Sequence, residues 1–307
     1  MFERIVVVTK PTALEELLLR RHSKGQAAFF LKSRGLSIEE YEAADATYRA
    51  ALSVVMSNLQ TDVPHETLPR ERIASFLFRP RDLIIAVGPD GLCVNVAKYL
   101  DGQPILTVNP DPQRIDGVLM RFRPEEVRAV LRTIQRDEAK TDALTLAKAT
   151  TNDGQTLYAV NDLLIGRRDH ISARYSLTHR GKTERQSSSG VLVSTGVGSS
   201  GWLRSLIGGA ANVMNQPVED TRYRVPFPWD ARYLLFVVRE PFPSKYTGVT
   251  QIFDTIGRDD TFTITSEMSE GGAIFSDGVI EDAIEFNAGS IVTVSVAEKS
   301  ARVVARP

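Results

Sequence analysis

The sequence predicts an α/β domain built on a parallel sheet, followed by a β-rich domain. Three observations carry that prediction. Continuous apolar runs in the first half (RIVVVT, LIIAV, PILTV) alternate with segments of helical periodicity. The second half breaks into short runs that alternate apolar and polar residues, as in TFTITS and IVTVSV. The chain has 307 residues, more than one core usually takes. The boundary is expected near TTNDGQ at 150–155, where Asn-Asp-Gly signals a turn. The domains are therefore read as 1–150 and 151–307.

Each element has its own signal. Arg4–Thr9 is apolar throughout, as a strand buried on both faces must be. Ala13–Arg21 reads as a helix. Residues 37–59 read as a longer one, with Ser37 at the cap and Glu40 completing a capping box. Residues 62–80 carry several prolines and read as a connection. Residues 83–87 form a second buried strand and 91–100 a helix; Pro104–Val108 is a third strand. Residues 124–137 form a helix that starts on Pro124. In the second half, strands are expected at 157–165, Ala173–His179, 190–194, 233–239, 261–266, 273–275 and 291–296. The N-terminal helices are expected to pack on the sheet.

Bulk composition narrows the function. The formal net charge is -1, so no global field draws nucleic acid or an anionic membrane. Hydrophobic residues make up 42%, yet no run approaches the ~20 apolar residues that span a bilayer. MFERIVVVTKP lacks the apolar length of a signal peptide. The one cysteine, Cys93, allows no internal disulfide and points to a cytoplasmic setting. The four histidines lack zinc-ligand spacing, and no side chain is assigned as a dedicated metal ligand. GVGSSG is not a hydrolase elbow.

Two loops carry chemistry. RDLIIAVGPDGLCVNVA ends a buried strand in Gly88-Pro89-Asp90-Gly91 and opens a helix. Ligands of parallel sheets bind beyond the strands' carboxyl ends, and a helix N-terminus suits phosphate. A carboxylate there needs a reason. Asp90 could take a proton from a hydroxyl that attacks phosphate, or hold Mg2+; otherwise it is a turn or cap residue. SSSGVLVSTGVGSSGW at 187–202 is a strand opening into Ser, Thr and Gly. Its hydroxyls could bond ribose or phosphate, and Trp202 could stack on a base. It lacks the Lys-Ser/Thr of a Walker A loop.

Taken together, these stretches resemble the NAD kinase family. Members carry Gly-Gly-Asp-Gly-Thr after a buried strand, then Asn-Gly…Gly-Phe-Leu, then an Asn-Glu pair opening the second domain. A Ser-Thr-Pro-Thr-Gly-Ser-Thr-Ala-Tyr loop follows. The counterparts here are GPDGL at 88–92, VNPDPQRIDGVL at 108–119, AVNDLLIGR at 159–167 and STGVGSSGW at 194–202; IFSDG at 274–278 resembles a later site Asp. Gly-x-Asp-Gly is also shared with diacylglycerol kinases and phosphofructokinases.

The resemblance implies a Rossmann-like nucleotide-binding domain, a β-rich, sandwich-like substrate domain, and a site in the cleft between them. It implies ATP and Mg2+ as cofactors, NAD(H) as substrate and NADP(H) as product. Asp90 would be the base acting on the adenosine ribose 2′-hydroxyl. Gly88 and Gly91 would lie against phosphate, and Asn109 belongs to the matching second stretch. Asn161 and Asp162 would contact base and ribose. Thr195, Ser199, Ser200, Gly201 and Trp202 would line the pocket, and Asp277 would close it. A homodimer or homotetramer is implied, with no nucleic-acid or membrane partner.

Five positions depart from the pattern. Pro89 replaces a glycine and removes an N–H donor. Leu92 replaces a threonine. Asp162 is one methylene shorter than Glu, Ser189 stands where an Asp contacts substrate, and Trp202 replaces Tyr. Another nucleotide, nucleoside, sugar or lipid acceptor, or nucleotide binding without transfer, therefore stays open. Among the basic clusters (Arg167, Arg168, His170 and Arg174; His179, Arg180, Lys182 and Arg185; Arg239 and Lys245), the last pair is favoured for binding phosphates, because two prolines stiffen REPFPSKYTG. HRGK reads as a hairpin turn.

Overall fold

A computed structural model describes residues 2–59, 62–217 and 223–306. The chain divides into two compact units, Met1–Asp142 with Arg302–Pro307, and Ala143–Ala301.

The first unit is α/β. Its elements are β1 (Arg4–Thr9), α1 (Ala13–Arg21), α2 (Lys24–Lys32), α3 (Ile38–Ser57), β2 (His65–Pro69), β3 (Asp82–Val87), α4 (Asp90–Ala97), β4 (Pro104–Val108) and α5 (Val127–Gln135). The strands are parallel, in the order β2-β1-β3-β4. Ile5, Val7, Leu83, Ile85 and Leu106 pack against Val55 of α3 and Leu131 of α5. The alternate residues Val6, Val8, Ile84 and Ala86 are equally buried, and α4 contacts β1, β3 and β4. Burial on both faces is why these strands are apolar at every position.

Ion pairing ties three strands at their start. The Arg4 guanidinium forks onto buried Asp82, with Nε donating at 2.8 Å, and reaches Glu66 at 2.7 Å. Ser37 caps α3 as expected, through the Glu39 N–H at 3.2 Å, but the side chain it meets is that of Glu39, not Glu40.

Three features of this unit differ from expectation. Residues 62–80 hold β2, an edge strand; its single buried residue, Leu68, and its terminal proline hide the strand signal. α2 starts on the Ser23 cap and contains Gly25 and a Phe-Phe pair. Its Ala27 and Leu31 form a small cluster with Ile38, Leu14 and Leu18, so α1 and α2 pack on α3 and each other, not on the sheet.

The second unit is antiparallel. It comprises β5 (Thr141–Thr151), which begins in the first unit, β6 (Thr156–Ala159), β7 (Asp162–Arg167), β8 (Ala173–His179), β9 (Lys182–Ser188) and β10 (Val191–Ser194). It continues with α6 (Trp202–Met214), β11 (Tyr233–Val238), β12 (Phe253–Gly257), β13 (Phe262–Ser266), β14 (Gly272–Ser276), β15 (Val279–Glu285) and β16 (Ile291–Val304). One sheet runs β12-β11-β10-β7-β14-β15; the other runs β16-β13-β8-β9, with β5 on β16 and β6 on β5. Val191, Val193, Leu234 and Phe236 meet Tyr175, Phe262 and Val292 of the facing sheet. Leu192 and Leu235, one residue out of phase, meet Leu203 and Ile207 of α6. The period of two thus sorts one strand's side chains between two cores.

The chain leaves the first unit within β5, before the turn expected to mark the boundary. That Asn-Asp-Gly turn joins β5 to β6 instead, with Gly154 at φ +89°. The tail of β16 returns to the first unit, where Arg302 and Val303 pair with Pro104 and Ile105 of β4. The second domain therefore does not run to the C-terminus. No periodicity marks such a return, because β16 is one uninterrupted strand. Among the described residues, no helix is long and apolar enough to cross a membrane.

Candidate functional site

In the first unit the candidate residues gather at the carboxyl ends of β3 and β4. The Tyr48 hydroxyl donates to the Val87 carbonyl at 3.2 Å, and the Gly88 N–H donates to the Val108 carbonyl at 3.2 Å. The chain then turns at Pro89, which precedes α4 without capping it by a side chain. Asp90 is the first residue of α4. Its carboxylate does not cap that helix; it reaches the loop after β4. Oδ1 accepts the N–H groups of Leu119 (2.8 Å) and Met120 (3.2 Å), and Oδ2 that of Val118 (3.1 Å). A carboxylate offers about four lone-pair directions, so one on Oδ2 remains. A Cβ placed on Gly91 would meet nothing within 4 Å, whereas one on Gly88 would press Leu92 Cδ2 at 2.9 Å. Gly91 thus leaves open space beside Asp90, and Gly88 serves packing. Leu92 is buried.

Asn109 is buried and serves its own loop. Its Oδ1 accepts the Asp111 N–H at 3.0 Å, and its Nδ2 donates to the Ile115 carbonyl at 2.9 Å. It shapes the loop that cradles Asp90.

In the second unit, a second carboxylate cradle forms. Asp277 and Gly278 make the two-residue turn between β14 and β15, both at positive φ (+52° and +69°), the primed turn that Asp-Gly favours. The Asp277 carboxylate accepts the N–H groups of Val160 (2.9 Å), Asn161 (2.7 Å) and Asp162 (3.3 Å). Asp162 lies beside it. Burial, then the negative charge of Asp277, push the Asp162 carboxyl up to about 7.

The Ser-Thr-Gly loop is locked onto the same corner. The Thr195 N–H donates to the Asn161 carbonyl at 2.9 Å, and Thr195 Oγ1 donates to the Val160 carbonyl. A Cβ on Gly198 would stand 2.1 Å from the Asn161 oxygen, so only glycine fits. Ser199 Oγ donates to the Gly196 carbonyl at 2.7 Å and accepts the Phe227 N–H at 3.1 Å. Thr195 and Ser199 are fully buried, and their hydroxyls hold the loop. Buried hydroxyls take the nearest backbone partner. Ser200 is exposed, with its hydroxyl on the Val197 carbonyl at 3.2 Å; Gly201 follows, before Trp202 opens α6.

Trp202 is 37% exposed and lines a cleft of about 310 Å3 with Asp162, Arg168, Phe275 and Asp277. The Arg168 guanidinium stands over the Phe275 ring at 5.4 Å, and that of Arg239 over Trp202 at 5.1 Å. The Ser189 N–H donates to the Arg239 carbonyl at 2.9 Å. Asp162, Trp202, Asp277 and Arg239 thus come together.

Lys245 is not brought to them; its ammonium stands over neighbouring Tyr246. In the 167–174 cluster, Arg167 and Arg168 both line the cleft; Arg167 is engaged by Asp169 at 2.7 Å, and Arg168 stands over Phe275. The second basic cluster is structural. Arg180 bonds Asp254 and Asp260, Arg185 bonds Glu267, and Arg180-Gly181 makes the expected turn between β8 and β9. Phe275 escaped notice because it reads as strand core. The N–H triads escaped because any residue supplies them. The Asp-Gly pair at 277–278 was the one signal available.

No family profile matches the sequence, and no curated protein aligns with it. Solved structures do match in fold. Yeast NADH kinase complexed with NADH superposes at TM-score 0.64 and 14% identity, over 100% of this chain and 84% of that one. The NAD kinase of Archaeoglobus fulgidus in complex with ATP superposes at TM-score 0.58 and 17% identity, over 98% of this chain and 93% of that one. The chain therefore has the two-part fold of these kinases, a Rossmann-like parallel sheet with helices and an antiparallel β-rich part.

Proposed function

We propose that the protein is an ATP- and Mg2+-dependent phosphotransferase of the NAD kinase type, converting NAD(H) to NADP(H). The observation that carries this reading is the likeness in fold, across the whole chain, to kinases solved with NADH and with ATP. Asp90 at the carboxyl end of a parallel strand supports it. In this reading the first unit binds nucleotide and the second binds substrate.

Asp90 Oδ2 takes the proton of the adenosine ribose 2′-hydroxyl. The freed oxygen attacks the γ-phosphorus, the new O–P bond forms, and the bond to ADP breaks. Gly91 gives the phosphates room. Trp202 and Phe275 offer faces for a base, Arg168 and Arg239 offer positive charge, and Asn161 and Asp162 hold base and ribose. Among the described residues, no three His, Cys, Asp or Glu side chains gather as a metal site. In this reading Asp90 acts as the base, and Mg2+ would be held mainly through the substrate phosphates and water, with no side chain assigned as its dedicated ligand. When bound, the ion supplies charge neutralisation on the phosphates. The assembly is proposed to be a homo-oligomer in the cytoplasm.

A second reading, nucleotide binding without transfer, draws on one observation. Three backbone N–H groups already occupy the Asp90 carboxylate. One assay separates the two. Purified protein is mixed with Mg-ATP and NAD or NADH, and NADP or NADPH is measured. Product from wild type and none from Asp90→Asn is expected. Thermal stabilisation by nucleotide with no product and no ADP release would favour binding alone. ADP release with a nucleoside or sugar in place of NAD would reassign the acceptor.

A further inference from the structure

The first unit carries an open, polar surface depression, of about 820 Å3, that shares no lining residue with the Asp90 loop or the Trp202 cleft. Four of its lining side chains are cations, Arg121, Lys140, Arg302 and Arg306, and one is an acid, Asp142. Ion pairing accounts for two of the four. Arg121 pairs with Asp142 at 2.6 Å, and Arg306 with Glu126 at 3.4 Å. Arg302 donates instead to a neutral hydroxyl, Thr141 Oγ1, from Nε at 3.3 Å and from Nη2 at 3.2 Å. Among the described residues no carboxylate pairs with Arg302 or Lys140.

The frame around these cations is fixed by the backbone. The Ala305 N–H donates to the Lys140 carbonyl at 2.8 Å, Arg306 Nε to the Arg121 carbonyl at 2.6 Å, and Arg121 Nη1 to the Val304 carbonyl at 3.4 Å. Lys140 and Arg302 therefore stand on adjoining segments that line one depression, and among the described residues neither has a carboxylate partner. Solvated surface cations are usually mobile and scattered. Here a guanidinium is held by a side-chain hydroxyl at a surface depression that Lys140 also lines. A planar fork, a point charge and a hydroxyl donor together match the oxygens of a phosphate chain.

We propose that this depression binds the di- or triphosphate group of a small molecule, through Arg302, Lys140 and the Thr141 hydroxyl. The site is independent of the kinase reading and holds whether or not Asp90 is catalytic. The chain leaves the first unit after Asp142 and re-enters it at Arg302, so the bound anion fastens both of these strand ends.

The test is calorimetric titration of the full chain with inorganic tripolyphosphate at low salt. Wild type is expected to bind it. The double variant Lys140→Gln/Arg302→Gln is expected to bind at least about tenfold more weakly, the loss of one or more charge-assisted hydrogen bonds. Both side chains are exposed, so its melting temperature without ligand should match wild type. Asp90→Asn and Arg168→Gln should keep this binding event. A control, Arg20→Gln/Lys32→Gln, removes two exposed cations elsewhere and should bind as wild type does. The proposal is overturned by no binding to wild type, by unchanged binding to the double variant, by equal weakening in the control, or by loss of the event in Arg168→Gln.

Discussion

Asp90 in the first unit and Asp277 in the second hold their neighbours in the same way. Each carboxylate accepts three consecutive backbone N–H groups, those of 118–120 and of 160–162. Their surroundings differ. Asp90 opens a helix beside a glycine whose missing side chain leaves space. Asp277 sits in a tight hairpin turn, beside a second, half-buried carboxyl group, with the adjoining loop packed so closely that Gly198 has no room for a Cβ. The same cradle can therefore keep a carboxylate available to a ligand, or use it to lock a corner and perturb its neighbour. What decides is the space and charge around it.

The largest expected effect breaks that comparison or upholds it. Asp90→Asn should lower the rate of phosphoryl transfer by on the order of 10²–10⁴, the range for a general base. Asp277→Asn should act mainly through the corner it holds, and cost about 1–3 kcal/mol of stability for an N–H left without its acceptor. Steady-state rates and denaturant melts of both variants measure the contrast. Equal rate losses would make the two carboxylates equivalent.

Next comes pH. The Asp162 carboxyl titrates near 7 in the folded chain and near 3.8 unfolded. The folded state therefore binds more protons between those values. Its contribution to stability is fully present below the lower value and is lost as pH rises through about 7, falling by about 1.4 kcal/mol for each pH step between the two values. Asp162→Asn should be more stable than wild type at alkaline pH and should converge with it in acid. Parallel pH-dependent melts that never converge would contradict this.

The two glycines sharpen the contrast further. Gly198→Ala drives a Cβ into the Asn161 carbonyl and should cost roughly 1–3 kcal/mol or more. Gly91→Ala meets nothing and should gain about 0.5–1 kcal/mol, while weakening nucleotide stabilisation of the melting temperature. Loss of stability at Gly91 would mean that its space belongs to the fold. The smallest expected effect is at Lys245→Ala, whose ammonium stands over Tyr246; rate and nucleotide affinity should stay at wild-type values.

Much of the fold was legible in the sequence, for a physical reason in each case. IVVV at 5–8 and LIIAV at 83–87 are apolar at every position because both faces of a parallel sheet are covered. TFTITS alternates because β13 turns one face to the core. Elements at the margins were hidden: β2 by its exposure and flanking prolines, α2 by its glycine, and the end of β16 because a strand that passes from one unit to another keeps the same pattern.

The site was legible in part. Glycine and aspartate positions announce turns and loop ends, so the Asp90 loop could be found from local chemistry, whereas Asp277 was reached through the family resemblance. By itself the sequence determined the strand and helix alternation, the second antiparallel region and the loops that hold the carboxylates, since these depend on side-chain period and turn preference. Only the tertiary structure decided which hydroxyls face inward, which arginines are already paired, and that Asp90 and Asp277 each grip a backbone triad. Burial and hydrogen-bond partners come from segments distant in the chain, and N–H groups carry no residue signature by which a sequence could reveal them.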